Sequence, residues 1–551
     1  MSKISDANAR LYREKKRAEA RHTAETVQNF MAGESYTCDP LTTMKLITAS
    51  SIFGEPAYYR AGMKKSGVYA VNHLVGDASV IPEDFCGKTT DQVMASAIDR
   101  ALSYDFQSTL NWAVELRRKY NMRLNPQVIM VRAAIHPDRK AFTASHPGEF
   151  DRINRLVMQR ADDPLSQLSY YIWQNGGNKN CIPSILKRSV AARLSSLTPY
   201  QVAKYKNHDL GMKNAAFITH AFSPALDELI KTGNVRLQEN ERTWENLRSE
   251  GKSWREIFRQ ADMGHMALLR NLRGVFTEVD DVAFCREYLD KLRGGVAAGK
   301  QFPFRYWSAR NAVYGSECNH KPLILDALEE CMDLAKNNLP YITGKTMVLS
   351  DNSGSAWGTI NSEYGSVTVA EIDNLSAVLT ASLSDEGYVG VFGDRLYEIP
   401  ISKRDGILTQ TERVGQQGQK VGGATENGIW LFFKDAIDNH IHWDNIVIYS
   451  DQQAGHGGLY GTPKSAYEYK LRGFSCGRNF GAPYINVLDL ILEYRQLVNP
   501  KVNVMSVQTA GYDNVLIPEN IYRGTIAYGW TGQEALLLKA TADIWDELEQ
   551  G

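Results

Sequence analysis

The sequence predicts two joined architectures: an all-α array of stacked helical hairpins over residues 28–342 and a doubly wound α/β domain over 343–551. Three observations carry this. In the first part, apolar positions recur at helical spacing in segment after segment, and β-branched alternation is scarce. From Lys345 onward, short apolar strands alternate with helix-length segments, the pattern of a parallel sheet with crossover helices. The charge also changes sign between the parts. Of 62 Lys and Arg and 63 Asp and Glu, 15 and 25 lie in 341–551, leaving 47 and 38 in 1–340. A basic half joined to an acidic half implies that one module meets a polyanion and the other does not.

A chain of 551 residues exceeds what one core supports, so several domains are expected. Residues 1–27 form a charged segment, MSKISDANARLYREKKRAEAR and its continuation, with no apolar centre, so this segment is not expected to act as a secretory signal. No run of about twenty apolar residues is present to span a bilayer. Seven cysteines, an odd number without a C-x-x-C pair, point away from a disulfide framework and from a zinc site. From these features a soluble cytoplasmic protein with no membrane partner is expected.

In the helical half, amphipathic periodicity marks 90–104, 106–120, 126–136, 183–194, 215–229, 254–261, 266–275, 281–292 and 322–335. Short polar connections join many of these segments, and a helical hairpin of this kind buries its apolar face only by stacking on a neighbour. Positive charge is concentrated in one stretch. Lys179, Lys187, Arg188, Arg193, Lys204, Lys206 and Lys213 are opposed within 179–213 by Asp209 alone. Such a block binds a phosphate backbone by counterion release, about 0.7 logarithmic units of salt dependence per neutralised phosphate on a single strand. The competing reading is a solvated helical face.

In the second half the order is TMVLS, a helix near 367–383, YVGVFG, a helix near 429–437, NIVIYS, a helix at 487–494 and VNVMSV. The continuous β-branched run NIVIY is the mark of a strand buried on both faces. Within VLSDNSGS an apolar strand stops at D-x-S-x-S, which places Asp351, Ser353 and Ser355 on one turn. GGATENG sets Thr425 at a loop-to-helix junction, and Asp451 follows directly on NIVIYS. Ligands bind at this carboxyl edge of open α/β sheets. A set made only of carboxylate and hydroxyl oxygens suits a hard divalent cation, Mg2+ above all, with water and a ligand oxygen completing the octahedron. Asp and Ser are also ordinary turn and N-cap residues, so a purely structural loop is the alternative. The Gly- and Tyr-rich insertion 452–483 is expected to sit over this edge.

D-x-S-x-S, a later loop Thr and a strand-end Asp together resemble the metal-ion-dependent adhesion site of von Willebrand factor A domains. A helical array followed by such a domain is similar to the Ro autoantigen family, whose helical region is the TROVE module. The segments SILKRSV, KYKNHDLGMKNAAFITHAFSP, HMALLRNLRG, QFPFRYW and GKTMVLSDNSGS carry the likeness over roughly 180–360. This resemblance implies a monomeric ring of HEAT-like repeats sealed by the A domain. It implies binding of small noncoding Y-like RNA on a basic outer surface and capture of single-stranded ends of misfolded RNA. In bacterial relatives the RNA can tether the ring to an exoribonuclease, which makes such an enzyme an implied partner.

By the same resemblance Lys187, Arg188, Lys204, Lys206 and Lys213 are the expected phosphate contacts, with Arg270 and Arg273 of HMALLRNLRG a second group. Arg270 reads equally well as a buried arginine between repeats. His220, before Ser223 and Pro224, is expected to pack or cap. Met212 stands where eukaryotic members tend to carry histidine, a departure that bears on Y RNA recognition and not on phosphate binding. The sequence contains no P-loop, no H-E-x-x-H, no G-x-S-x-G and no acid cluster suited to two-metal cleavage. A non-catalytic RNA-binding ribonucleoprotein component in RNA quality control is therefore the leading expectation. A protein-binding adaptor acting through the A-domain cation is the alternative.

Overall fold

The computed structural model describes residues 26–28, 34–36, 39–50, 90–120, 122–207, 210–237, 242–301, 303–354, 356–357, 359–362, 365–422, 425–450, 476–479, 482–485, 487–509, 516–517, 521–528 and 534–550. The described residues of its first part, from Pro40–Ser50 to Lys321–Ala335, are mostly helical. Helix starts follow from local capping. Asp105 and Asp281 accept backbone N–H groups of the first turn, and Thr198 with Gln201 and Ser253 with Glu256 form reciprocal capping boxes.

Each helix then buries its apolar stripe on neighbours. Thr90–Tyr104 packs on Pro40–Ser50, Phe106–Arg118 on Asn125–Ile135, and Ser184–Ser195 on Glu149–Val157 and Met212–Thr219. His265–Glu278 packs on Val282–Gly294 and Pro303–Tyr314, and both of these reach Lys321–Ala335. The single helix expected over 215–229 is two. Met212–Thr219 ends at His220, whose φ is 58°, and Pro224–Thr232 starts under the Ser223 cap. Pro224 lacks the N–H that would continue the first helix, and the residue before proline disfavours the α region.

The α/β domain is built on six strands: β1 Ile342–Asp351, β2 Ser384–Phe392, β3 Leu396–Pro400, β4 Asn445–Ser450, β5 Asn503–Gln508 and β6 Gly524–Tyr528. Their order is β6-β5-β4-β1-β2-β3. All neighbours run parallel except β3, which is antiparallel to β2, so the sheet is mixed and not wholly parallel. The link between β2 and β3 is residues 393–395, too short for a crossover and sufficient for a hairpin. Successive side chains of β1 enter opposite layers: Val348 joins the core under the Val369–Ser382 helix, while Met347 and Leu349 face Trp430, Phe433 and Tyr494. The first of these layers is continuous with the core of the helical array.

The α/β domain holds both ends of the array. At one end Asp333 and Glu329, on Lys321–Ala335, accept the N–H groups of Ile407 and Leu408 at 3.1 and 2.8 Å, where the Ile407–Gly418 helix begins. At the other the Glu534–Gln550 helix lies against Pro40–Ser50. There Asp543 accepts the Tyr120 hydroxyl at 2.9 Å and pairs with Lys119 at 2.8 Å, and Glu547 pairs with Lys45 at 3.2 Å. The array is thereby closed into a ring. Among the described residues no helix is long and apolar enough to cross a membrane.

Candidate functional site

β1 and β4 are adjacent, and the chain leaves them toward opposite edges of the sheet. Their carboxyl ends therefore form the topological switch point. Asp351 ends β1 there and is fully buried. Its Oδ1 accepts the Ser353 N–H at 2.8 Å and its Oδ2 accepts the Ser450 hydroxyl, from the end of β4, at 2.6 Å. Ser353 is buried beside it.

Asn352 fixes the turn between them. Its N–H donates to the Phe392 carbonyl at 2.8 Å, and its amide exchanges bonds with Asn374, Nδ2 to Oδ1 at 2.9 Å and the reverse at 3.0 Å. Asn374 Oδ1 also accepts the Ser350 hydroxyl at 2.7 Å. Gly418 makes room for this network, because a Cβ there would lie 2.0 Å from Asn352 Oδ1. Sequence reasoning missed Ser450 and Asn374. The first was legible as the last residue of NIVIYS, whereas Asn374 lies within a helix and belongs to no motif.

Thr425 begins the Thr425–Asp438 helix, at the junction expected. Ser355, Asp451 and residues 452–475 of the insertion lie outside the described residues, while Cys476–Asn479 and Ala482–Ile485 form a small antiparallel pair. The structure thus brings Asp351 and Ser353 together at the switch point. Their oxygen-only donor set fits a hard cation. Among the described residues no cluster of three or more His, Cys, Asp or Glu offers a softer site.

The cations of the basic stretch sit on a contiguous group of helices. Lys187 and Arg188 lie on Ser184–Ser195, Lys204 ends Pro199–Lys204, Lys206 follows it, and Lys213 is in the first turn of Met212–Thr219. Arg188 is 68 % exposed and pairs with Asp151 at 2.8 Å. Three of the others are held by neutral groups. Lys206 donates to Asn234 Oδ1 at 2.6 Å, Lys213 to the Ile230 carbonyl at 2.8 Å, and the Lys204 ammonium lies 5.7 and 5.8 Å from the Tyr200 and Tyr205 ring centres. Lys187 has no side-chain partner among the described residues. A neutral acceptor positions a cation without cancelling its charge, so these four remain available to an anion.

Arg270 and Arg273 are exposed one turn apart on His265–Glu278, unpaired among the described residues, which removes the reading of Arg270 as a buried arginine between repeats. His220 is exposed, and it caps its helix through its backbone N–H to the Ala216 carbonyl without packing its ring. Met212 is fully buried core. Two aromatics went unnoticed in the sequence: Phe217, one turn after Lys213, and Phe222 are 55 % and 70 % exposed. Their signal was the interleaving of basic and aromatic residues in KNAAFITHAF.

No family model matches the chain, and no curated protein matches it in sequence. Among solved structures it is similar to the crystal structure of the Deinococcus radiodurans Ro (RSR) protein. The TM-score is 0.60 at 14 % identity, covering 91 % of this chain and 99 % of that one. The likeness extends over both the helical array and the α/β domain, and the fold of this chain is that of the Ro protein: a helical ring closed by an α/β domain.

Proposed function

We propose that this chain is a non-catalytic RNA-binding ring of the cytoplasm. It binds small noncoding Y-like RNA on its basic helices and captures single-stranded ends of misfolded RNA for quality control, with an exoribonuclease as a partner. The observation that carries the reading is the set Lys187, Lys204, Lys206 and Lys213, clustered on neighbouring helices without a carboxylate partner among the described residues. Phosphate contacts of this kind supply affinity, and exposed Phe217 and Phe222 are surfaces on which unpaired bases stack. Arg188, Arg270 and Arg273 extend the cationic surface.

Asp351 and Ser353, with Ser355, Thr425 and Asp451, would hold Mg2+ at the sheet edge. The cation would supply an open coordination position for a ligand oxygen. A second reading, a metal-dependent protein-binding adaptor, draws on the placement of Asp351 at the switch point.

The test is binding of a hairpin RNA with a single-stranded 3′ tail, its blunt counterpart and a duplex DNA across a salt series, with the Lys187→Ala/Arg188→Ala variant alongside. Tight, salt-sensitive, tail-preferring binding that weakens in the variant is expected. Equal binding of all three polyanions, or none at modest salt, refutes the RNA reading. Loss of a protein partner in Asp351→Ala with RNA affinity intact would establish the adaptor instead.

A further inference from the structure

A cleft of about 480 Å³ opens where the Pro199–Lys204, Trp244–Ser249 and His265–Glu278 helices meet. That volume lies within the range of small-ligand sites. Tyr200 and Trp244 line it with aromatic surface, and Lys204 and Arg242 line it with positive charge. Arg242 shares its charge with Glu250 at 3.1 Å, whereas Lys204 has no carboxylate partner among the described residues.

One side is closed by His265, 8 % exposed. Its imidazole is seated against two glycines, since a Cβ at Gly295 or Gly299 would come within 2.9 and 2.6 Å of the ring. Its Nε2 lies 2.5 Å from the Tyr306 hydroxyl, and burial pushes its pKa below the ordinary value, so this side is uncharged at neutral pH. Two carboxylates complete the lining. Asp262 is engaged by Lys291 at 3.5 Å, and Glu245 is exposed with no ion-pair partner among the described residues.

Aromatic walls beside a lysine that has no carboxylate partner among the described residues match the two parts of a nucleotide, a π-face to stack and a phosphate to attract. Glu245 repels a phosphate placed against it but accepts N–H donors from a base edge. Guanine presents N1–H and N2–H side by side, a bidentate match to a carboxylate, and uracil presents a single N–H between two carbonyls.

We propose that this cleft takes an unpaired base of single-stranded RNA, guanine ahead of uracil, with the base stacked on Trp244 or Tyr200 and Glu245 reading its donor edge. The inference rests on the RNA-binding reading above and adds a base preference to it.

The test uses the full chain and fluorescence anisotropy of labelled single-stranded decamers, oligo(U) and the same strand with a central GGG, with free GMP as competitor and the tailed hairpin as reference. The expected result is about tenfold tighter binding of the GGG strand, reduced to within about twofold in Glu245→Gln, a surface change that leaves the fold intact. Trp244→Ala is expected to weaken both strands about tenfold and Trp244→Phe to restore them. The pair is needed because Trp244 also packs on Trp254, with ring centres 6.1 Å apart. Hairpin binding with no preference for GGG, or a preference unchanged in Glu245→Gln, overturns the cleft assignment alone. Failure of every RNA, the hairpin included, overturns the RNA reading itself. Displacement of the GGG strand by micromolar GMP makes the cleft a free-nucleotide site and overturns its assignment to the strand.

Discussion

Asp543 is where the closed ring is most open to attack. The carboxylate accepts the Tyr120 hydroxyl at 2.9 Å and pairs with Lys119 at 2.8 Å across the seam, and with Lys539 at 2.6 Å on its own helix. Burial opposes its ionisation, but the hydrogen bonds from Lys119, Lys539 and Tyr120 outweigh burial and hold its pKa below the usual carboxylate range. Tyr120 is 2 % exposed, so Asp543→Ala removes the acceptor of a buried O–H, which Lys119 as a donor cannot replace, at about 1–3 kcal/mol. The Lys119 side chain is 46 % exposed, so its ion pair contributes only about 0–1 kcal/mol. The seam therefore loses about 2 kcal/mol, roughly a 30-fold shift in its opening equilibrium. Hydrogen exchange reads this directly. Exchange in Pro40–Ser50 and Glu534–Gln550 is expected to rise about 30-fold in Asp543→Ala and far less in Asp543→Asn, which keeps an acceptor for Tyr120. Rates within twofold of wild type in both helices would refute the view that this carboxylate holds the ring shut.

Three further outcomes are expected. Mg2+ at a hundred times its dissociation constant should stabilise the wild type by about 2.7 kcal/mol, on the order of 5–10 °C in the melting of the α/β domain, and Asp351→Ala should not respond. An equal shift in the variant would place the cation elsewhere. Burial pushes Glu329 from the ordinary 4.5 up to about 7, with the Leu408 N–H and Arg310 opposing and Asp333 and Glu412 adding. The native state therefore keeps a proton that the unfolded chain releases, so stability falls as pH rises from about 4.5 to 7. Glu329→Gln, which retains an acceptor for Leu408, should give a melting temperature with a flatter profile over that window. A profile as steep as wild type would assign the dependence to another group. Finally, Arg117 and Asp163 form an ion pair at 3.0 Å with both side chains 3 % exposed, and Asp163→Ala should cost about 3–5 kcal/mol, read from chemical denaturation, by leaving a buried guanidinium unpaired.

What the sequence disclosed follows burial pattern. β1 and β4 are covered on both faces and so appear as uninterrupted apolar runs ending at Asp351 and Ser450, which made the switch point and its oxygen donors legible. β3 lies half-exposed at the edge and carries no such run, so the antiparallel hairpin that makes the sheet mixed went unseen. The Asp163–Gln174 helix went unmarked although its apolar residues recur at helical spacing, because its buried surface also takes in Ser166, Gln167 and Ser169, which read as a solvated face. Charge is local, and the cations from Lys187 to Lys213 were visible as a block. Their partners were not, because Asp151 and Ile230 come from neighbouring helices and Asn234 from the turn that follows one of them. The cleft joins residues 200, 244 and 265 and has no sequence signature at all.

Ring closure was expected through the family resemblance alone and nothing in the residues themselves pointed to it, and the two joints that produce it are not equivalent. At Glu329 and Asp333 the chain runs without a break from the Lys321–Ala335 helix into β1 within six residues, so that joint stays tethered even when its carboxylates change protonation. At Asp543 and Glu547 the contacts reach Tyr120 and Lys45, 423 and 502 residues away in sequence. Closing a loop of that length is entropically costly, and the cost rises only slowly with length, so it falls almost entirely on the few bonds of the seam. If the proposed capture of RNA requires the ring to open, the seam between Pro40–Ser50 and Glu534–Gln550 is where it opens. On the proposed function, cross-linking those two helices should abolish that entry while leaving RNA binding to the basic helices that carry Lys187 to Lys213 unchanged.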